Sequence, residues 1–279
     1  MEAFRETALL LWSAPLIVAL ILAEMVWTHF HEVRAYTLRE TLTNGYMAAL
    51  NGTFDVLMRG VVLVAMTFFF QHKLLDLERG WWYWIALFVL EDFAYYTLHY
   101  VDHHCRLFWA VHVTHHSSPE FNLSTGFRSS VFQPLYRVVY FAPIAWLGFQ
   151  PLDVLFMYAA TQIYGSLIHT ERIRTLGLLE HILVTPSHHR VHHASNARYL
   201  DKNMGMCLIV WDKLFGTFLA EDPADPPRYG ITKTIADRGP LNIVLHEWRD
   251  LIRDVRTQAR SWGERLSFVL RGPGWRPKR

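Results

Sequence analysis

The segment "TPSHHRVHHASN", residues 185–196, places four histidines within six consecutive positions. Three of them, His189, His192 and His193, follow an HxxHH spacing. On a helix, residues three and four positions apart lie on one face, with Cβ atoms about 5–6 Å apart. Imidazoles placed in this way can direct their nitrogens at one centre. The segment therefore predicts a metal site, in which these three side chains hold one ion.

Two further motifs repeat this spacing, and together they predict a second ion. "HYVDH" begins at residue 99 and "HVTHH" at residue 112, while His169 stands alone. Solvated surface histidines would leave the repeated spacing unexplained, and clustered imidazoles lower one another's pKa through like charge. Nine imidazoles exceed what one ion binds. We predict two metal ions, with the ligands His99, His103, His112, His115, His116, His169, His189, His192 and His193.

The choice of metal is narrowed by the ligand type and the number of ligands. Neutral imidazole suits zinc, iron, copper and nickel, and a catalytic zinc normally takes three protein ligands and keeps one open position. A two-ion centre with nine histidines at the ends of membrane helices favours redox chemistry, and hence iron, although spacing alone leaves zinc open. Haem ligation and metal transport fit less well, because a transporter places its ligands and carboxylates near mid-membrane. Near the histidine motifs, Glu91 and Asp92 lie inside the predicted span 81–99, about two turns before His99.

Long apolar segments predict an all-α integral membrane protein. Apolar residues make up 52% of the chain, and residues 8–28 form a nearly uncharged stretch of the length that a bilayer requires. We predict about four to five membrane helices, the first one retained rather than cleaved as a signal peptide. Asp55 and Arg59 are expected to neutralise each other on the second span. The predicted spans are 8–28, 54–70, 81–99 and a hairpin of 131–149 and 151–168.

The distribution of charge predicts the orientation of these spans. Nine of the Lys and Arg residues lie in 1–168 and eighteen in 169–279, which places the C-terminal region in the cytoplasm. Tracing back through five spans also places 99–130 there, so a helical cap on the cytoplasmic side would carry every histidine motif. The tail, 236–268, is predicted to be an amphipathic helix, either on the anionic membrane surface or packed on the cap. Two reduced thiols are expected, Cys105 and Cys207.

The HxxxH motif and the two HxxHH motifs resemble the fatty acid hydroxylase superfamily, which includes sterol desaturases. Longer stretches resemble its alkylglycerol monooxygenase branch: "HHSSPEFNLSTGFRSS" (115–130), "IHTERI" (168–173), "TPSHHRVHHASN" (185–196), "LDKNMGMCLIVWDKLFGTF" (200–218) and "PRYGIT" (227–232). The resemblance covers about 85–235. It divides the chain into N-terminal membrane helices (1–84), a catalytic domain (85–235) and a basic amphipathic tail (236–279).

The resemblance implies roles for particular residues. The nine histidines would ligate two Fe²⁺ ions, and Glu171 matches a family position that would orient a ligand or a proton donor. Asp92, seven residues before His99, is expected either to orient an imidazole or to form a helix–helix hydrogen bond. His104 and His188 adjoin predicted ligands but fall outside the repeated offsets. Hydrogen bonds to ligands and ordinary loop capping are both open for Asn122, Asn196 and Asp201.

The function implied by the resemblance is a membrane-bound di-iron oxygenase that uses O2 to hydroxylate or desaturate a lipid drawn from the bilayer. No flavin, haem, G-x-G-x-x-G or P-loop motif is visible in the sequence, so the two electrons would come from tetrahydrobiopterin or another external donor. An ether lipid is one substrate; sterol, fatty acyl, carotenoid and ornithine-lipid substrates are alternatives. A non-catalytic membrane metal-binding or transport protein is the alternative of another class. The expected location is a bacterial inner membrane, or the endoplasmic reticulum in a eukaryote, and no nucleic-acid partner is expected.

Overall fold

A computed structural model describes residues 2–233, 235 and 237–278, with side chains from residue 6 onward. The described residues form α-helices and three 3-10 helices, with two isolated β-bridges and no strand. This confirms the predicted all-α class. The 3-10 helices are Leu123–Phe127, Gln133–Leu135 and Gly177–His181. The α-helices are α1 (Glu2–Phe30), α2 (Leu38–Gln71), α3 (Trp81–His104), α4 (Arg106–His116), α5 (Val138–Leu147), α6 (Pro151–Leu167), α7 (Pro186–His192), α8 (Val210–Phe215), α9 (Pro240–Gln258) and α10 (Trp262–Leu270).

Two helices have the length and apolar composition to cross a membrane, Glu6–Phe30 within α1 and Leu38–Gln71, which is α2. At 1.5 Å per residue, their lengths of about 38 and 51 Å exceed the hydrocarbon thickness of about 30 Å. Large apolar side chains point outward from both, among them Trp12, 80% exposed, and Val64, 71% exposed. The predicted second span was too short, because the helix begins well before residue 54. The Thr37 side chain caps its start by accepting a hydrogen bond from the Glu40 backbone N–H.

The remaining predicted spans are also helices, but α3 packs into the core of the protein and α5 and α6 are short. α3 is central: its Tyr83, Leu87 and Leu98 side chains are buried, and α4, α5 and α6 pack around it. It also buries Glu91 and Asp92. The predicted hairpin is present as α5 and α6, which have 10 and 17 residues. In the part of the chain that the structure describes, only α1 and α2 are long and apolar enough to cross a membrane. The predicted count of four to five spans is therefore not confirmed.

The charges on α2 connect different neighbours rather than each other. Arg59 pairs with Glu6 of α1 at 2.5 Å, and Asp55 pairs with Arg137, just before α5. The predicted Asp55–Arg59 pair was therefore wrong. An ion pair within one helix adds only about 0.2–0.5 kcal/mol, and α2 lies between two elements that each supply a partner of opposite charge. The two contacts fix α2 between α1 and α5.

The C-terminal helices pack against α4, one of the two arrangements predicted for the tail. The Arg106 guanidinium, at the start of α4, lies 2.8 Å from a carboxylate oxygen of Glu247 and 2.8 Å from one of Asp254, both on α9. All three residues are buried. The predicted tail segment began at residue 236, which lies outside the described residues, and α9 begins at Pro240. The two cysteines are free and buried, as predicted.

The turn between α5 and α6 depends on Gly148. Its φ of +119° lies in the left-handed region, and a Cβ atom there would lie 2.3 Å from the Leu75 carbonyl oxygen. We expect Gly148→Ala to lower the free energy of unfolding by about 1–3 kcal/mol, measured as a lower Tm in detergent. Gly45→Ala is the matched control, because that Cβ meets nothing within 4 Å on α2 and alanine favours helix. Equal Tm values for the two variants would contradict this account.

Candidate metal centre

Four segments bring the predicted histidines together. α3 ends at the HxxxH motif and α4 carries the first HxxHH motif, while α7 and its C-cap carry the second. His169 follows the end of α6. Between α3 and α4, Cys105 has extended backbone angles, φ −122° and ψ 118°, which end one helix and begin the next. The break lets α4 lie beside the last turn of α3, so that both present histidines to one interior.

All nine predicted histidines converge in two adjacent groups. The five-histidine group contains His99, His103, His112, His116 and His192, and the four-histidine group contains His115, His169, His189 and His193. Within each group the available ligand atoms lie within 4.8 Å of one another. The groups adjoin, since the His116 and His193 rings stack with centroids 4.5 Å apart. The two groups therefore form one continuous cluster, in which histidines of one group contact histidines of the other.

Each HxxHH motif is divided between the two groups, which corrects one prediction. His189 and His193 share a group, but His192 belongs to the other. Residues four positions apart on a helix are nearly aligned, whereas consecutive residues point about 100° apart. For the same reason, His115 is separated from its neighbour His116. One motif therefore contributes to both sites instead of holding one ion by itself.

The distances between nitrogens fit metal coordination. In the four-histidine group, the Nε2 atoms of His169, His189 and His193 are separated by 2.9, 3.1 and 3.2 Å. In the other group, the Nε2 atom of His112 lies 3.0 Å from that of His99 and 3.2 Å from that of His116. Ligands on one ion with metal–nitrogen bonds of about 2.0–2.1 Å are separated by about 2.9–3.4 Å. Both groups have this spacing.

The protons of several rings are held on the outer nitrogen, which leaves the inner nitrogens as lone pairs. The Nδ1 atom donates to a backbone carbonyl in His99 (Met204, 2.7 Å), His192 (Lys202, 3.0 Å), His115 (Arg128, 2.9 Å) and His169 (Gly165, 2.8 Å). A neutral imidazole has only one N–H, so the opposite Nε2 atom can only accept. The Nε2 atoms of His103 and His192 are buried without a hydrogen-bond partner. A cation would satisfy such lone pairs, and the residues therefore fit a bound metal.

The electrostatic environment keeps these rings neutral. Burial, followed by the like charge of neighbouring imidazoles, holds the pKa of His116 and of His193 well below the ordinary value. Burial likewise lowers the pKa of His115 to about 4, against a smaller opposing effect of its bond to the Arg128 carbonyl. Near neutral pH the rings are therefore uncharged, and each has one nitrogen lone pair that can bind a metal ion.

Hydrogen bonds around the centre settle the alternatives left open for three polar residues. Asp201 accepts a hydrogen bond from Nδ1 of His103 at 3.1 Å, so it orients a candidate ligand. Asn122 instead caps the 3-10 helix that follows it. Asn196 accepts from the Arg228 backbone N–H and cross-links two loops. The capping interpretation therefore holds for both asparagines.

The two carboxylates predicted to act at the centre, Asp92 and Glu171, accept hydrogen bonds from residues other than the candidate ligands. Asp92 accepts from the backbone N–H groups of Cys207 (2.8 Å) and Leu208 (3.0 Å) and from the Trp211 indole (2.9 Å). It thereby anchors the loop whose Met204 carbonyl holds His99. Of its two predicted roles, the helix–helix hydrogen bond is present, donated by Trp211 of α8. Asp92 orients an imidazole only through the loop that its other two bonds hold.

Glu171 is separated from the histidines by two aromatic rings. It accepts a hydrogen bond from the Tyr229 hydroxyl at 3.0 Å. The Tyr229 ring stacks on Phe121, with centroids 4.9 Å apart, and Phe121 in turn lies 5.5 Å from the His169 ring. Glu171 can therefore influence the four-histidine group through this aromatic pair. The two histidines outside the repeated offsets also lie outside both groups: His104 bonds to the Tyr100 carbonyl, and His188 bonds to the Thr185 backbone.

Sequence reasoning missed the role of Arg128, which is fully buried. Its Nη1 donates to Glu40 (2.9 Å) and Asn44 (3.0 Å) of α2, and its Nε donates to the Thr114 carbonyl and the Ser117 hydroxyl, each at 3.0 Å. Its own carbonyl accepts from His115. Burial lowers its pKa to about 10, so the side chain remains a cation. The one signal in the sequence was its place in the "TGFRSS" part of the stretch that resembles the family.

We expect the Asp201 contact to determine metal affinity in the five-histidine group. Asp201→Gly removes the acceptor for His103 and should weaken that site about 10–100-fold, measured by competition with a metal chelator. Asp201→Asn keeps an acceptor oxygen and should stay within a few-fold of the unchanged protein. Both replacements tolerate the φ of 56° at this position, so backbone strain does not separate them. Equal affinity in the two variants would show that the contact is incidental.

Comparison with known proteins agrees with this geometry. The model of the fatty acid hydroxylase family matches residues 84–217, which span all nine histidines. This segment belongs to the fatty acid hydroxylase family. Over 271 residues the chain is 34% identical to the alkylglycerol monooxygenase of Homo sapiens, covering 95% of this chain and 59% of the human protein. The similarity thus extends beyond the predicted 85–235 into the N-terminal helices and the tail.

Other relatives of this fatty acid hydroxylase segment act on different lipids, according to their names. The chain is 32% identical over 155 residues to the ornithine lipid hydroxylase OlsE of Rhizobium tropici, covering 53% of this chain and 45% of OlsE. It is 26% identical over 183 residues to the Delta(7)-sterol 5(6)-desaturase ERG3B of Gibberella zeae, covering 60% and 53%. The chain spans 50–59% of the length of the alkylglycerol monooxygenases that it matches. The comparison with solved structures gave no significant match.

Proposed function

We propose that the chain is a membrane-bound, non-haem di-iron oxygenase that uses O2 to hydroxylate a lipid C–H bond, with desaturation as the related outcome. The observation that carries the proposal is the convergence of nine mostly buried imidazoles, in two adjacent groups, within a fatty acid hydroxylase segment. Redox chemistry in this family and the two-group ligand set favour iron over zinc.

The protein would contribute ligands, orientation and a dry enclosure. Two Fe²⁺ ions would supply O2 activation and hydrogen abstraction from the C–H bond. The five-histidine and four-histidine groups would hold one ion each, oriented by the carbonyls of Met204, Lys202, Arg128 and Gly165 and by the Asp201 carboxylate. Burial of the imidazoles excludes bulk water from the reacting centre. Asp92 would act by anchoring the 204–211 loop, and Glu171 through Tyr229.

The lipid would approach from the apolar helices. A cavity of about 80 Å³, here called the bundle-side cavity, touches His112, His115, His169 and His189. Its other walls come from α2, α3, α6, residues 126–137 and Met206, and combine the rings of Tyr95 and Tyr158 with polar side chains such as those of Gln133 and Gln162. We propose a multi-pass arrangement with the histidine groups on the cytoplasmic side, in a bacterial inner membrane or the endoplasmic reticulum. The part of the lipid that is to be oxidised would enter this cavity laterally from the bilayer.

The chain is 34% identical to the alkylglycerol monooxygenase of Homo sapiens in an alignment that covers 95% of this chain, and this similarity favours an ether lipid as substrate. Sterol, fatty acyl, carotenoid and ornithine-lipid substrates are the alternatives, and two of them are named in relatives. Tetrahydrobiopterin or another external donor would supply two electrons. A non-catalytic metal-binding or transport protein would share the centre but consume no O2.

Comparative lipidomics tests the proposal. A deletion strain would be complemented with the intact chain, with His192→Ala or with His181→Ala as the control, an exposed histidine outside both histidine groups and both cavities at the centre. We expect a lipid that has gained one oxygen, or an ether lipid that has been lost, with the intact chain and the control but not with His192→Ala. Bound metal in the purified protein, without O2 consumption on any lipid, would favour the binding-protein alternative.

A further inference from the structure

Two cavities reach the histidine centre from different sides. Besides the bundle-side cavity, a second cavity of about 770 Å³ is lined by the end of α3, by α4, α7 and α9, and by residues 271–276. We call it the tail-side cavity. None of its described lining residues lies on α1, α2, α5 or α6. It therefore opens away from the apolar helices, and its volume is within the range of about 300–1,000 Å³ that is typical of small-molecule sites.

Eight of the nine candidate ligands line one cavity or the other, four on each side. The tail-side cavity is lined by His103, His116, His192 and His193, and the bundle-side cavity by the four histidines named above. No described residue lines both. The two histidines whose buried Nε2 atoms have no hydrogen-bond partner, His103 and His192, lie on the tail side. Two reactants could therefore reach the centre without sharing a route.

The tail-side cavity is aromatic next to the centre. The Trp109 ring lies 5.2 Å from the His103 ring and 5.6 Å from the His116 ring, measured between centroids. Near the opposite wall, the Arg271 guanidinium lies 5.7 Å from the centre of the Trp275 ring. The walls thus offer a planar surface and a cation to one molecule.

Charge argues against an alkyl chain in this cavity. Five cationic side chains line it (Arg106, Lys233, Arg253, Arg271 and Arg276), against three carboxylates, those of Asp201, Glu247 and Asp254. Four of the five cations lie within 4.0 Å of a carboxylate, Lys233 and Arg253 through Asp250, which is outside the lining. Among the described residues, no carboxylate lies within 4.0 Å of Arg271. Burying charged groups against an apolar chain is unfavourable, whereas a small anion would give Arg271 a partner.

We propose that the tail-side cavity binds a small, water-soluble, anionic reductant, while the lipid occupies the bundle side. This inference rests on the proposed function, which requires an external donor. For a hydroxylation, lipid R–H, O2 and a donor DH2 give R–OH, H2O and D, so the donor loses two electrons and two protons. A redox protein would need an open docking surface, whereas α9 and residues 271–276 form walls of this cavity.

Filling the cavity tests the proposal. A Cβ at Gly274, on the cavity wall, would meet nothing within 4 Å, so Gly274→Trp introduces a large side chain there without a clash at its Cβ. Gly263→Trp is the matched control, because Gly263 lies on α10, does not line the cavity, and its nearest contact would be 3.9 Å away. Iron-loaded, oxidised protein in nanodiscs would be mixed with ascorbate in the absence of O2 and lipid substrate. The fading of the ferric absorbance gives the rate of reduction.

We expect Gly274→Trp to slow reduction about tenfold or more, the equivalent of about 1.4 kcal/mol, with Gly263→Trp close to the unchanged protein. Arg271→Gln should raise the ascorbate concentration for half-maximal rate about threefold. Equal rates in both tryptophan variants would overturn the inference and leave the proposed function standing. If ferredoxin reduces the iron faster than ascorbate does, and Gly274→Trp leaves that rate unchanged, then the donor is a protein and the inference is overturned. Absence of bound iron, measured beforehand, would overturn the proposed function itself.

Discussion

Purified His103→Ala is expected to bind about one iron ion per chain instead of two and to lose oxygenase activity. His103 contributes a buried Nε2 atom without a hydrogen-bond partner to the five-histidine group, and its Nδ1 is held by Asp201. Changes to residues that merely orient a ligand weaken metal sites about 10–100-fold, so loss of the ligand itself should reduce activity by more than about 100-fold. Iron content by mass spectrometry and lipid-dependent O2 consumption measure the two effects.

The neighbouring residue provides a matched control. His104 stacks on Tyr100, with centroids 3.9 Å apart, and donates to the Tyr100 carbonyl away from the histidine groups. His104→Ala should therefore keep about two ions, since it lies outside both groups. Equal iron loss in the two variants would mean that the α3 terminus, rather than a coordinating nitrogen, controls metal binding.

Removal of the Arg128 cation is expected to destabilise the protein by about 3–5 kcal/mol, because it leaves the buried Glu40 carboxylate without one of its partners. Glu40 also pairs with Arg238 at 2.8 Å, which retains part of the interaction. Arg128→Met preserves much of the side-chain volume while removing the charge. The effect would be measured as a fall in Tm in detergent, together with the iron content, because the Arg128 carbonyl holds His115.

A second variant separates charge from shape. In the double variant Arg128→Met with Glu40→Gln, no buried carboxylate remains at residue 40, so much of the lost stability should return. Arg198→Ala, which breaks an exposed pair with Asp222, should leave Tm unchanged. If the double variant is less stable than Arg128→Met alone, the Glu40 carboxylate is still stabilised by Arg238, and its lost partner does not account for the fall in Tm.

The histidine centre was largely predictable from spacing, because helical offsets of three and four positions bring side chains together whatever the rest of the chain does. The division between the two groups was not predictable in the same way. His192 and His193 diverge because of the rotation between consecutive helical residues, and the group each joins depends on how α7 lies between α4 and the end of α6. His169 carries no spacing of its own, so its inclusion among the predicted ligands rested on its place at the end of a predicted span beside the motifs.

Contacts across long sequence separations account for most of what was missed. Glu40 and Arg128 are 88 positions apart, and neither belongs to a periodic pattern. Asp55 and Arg59 looked like a local pair, but each found a partner on another helix. α3 was predicted as a membrane span from its apolar composition. That span is not confirmed, because the same composition suits a helix packed among α4, α5 and α6, as the structure shows α3 to be.

The Arg106 contacts with α9 have a consequence for the order of assembly. Arg106 begins the helix that carries three of the nine histidines, and its partner Glu247 lies 141 positions later in the chain. Until the ribosome has made α9, this guanidinium lacks the counter-charges that allow its burial. The first HxxHH helix can therefore settle only after α9 has been translated, so metal acquisition should follow the synthesis of α9 rather than accompany that of the histidine motifs.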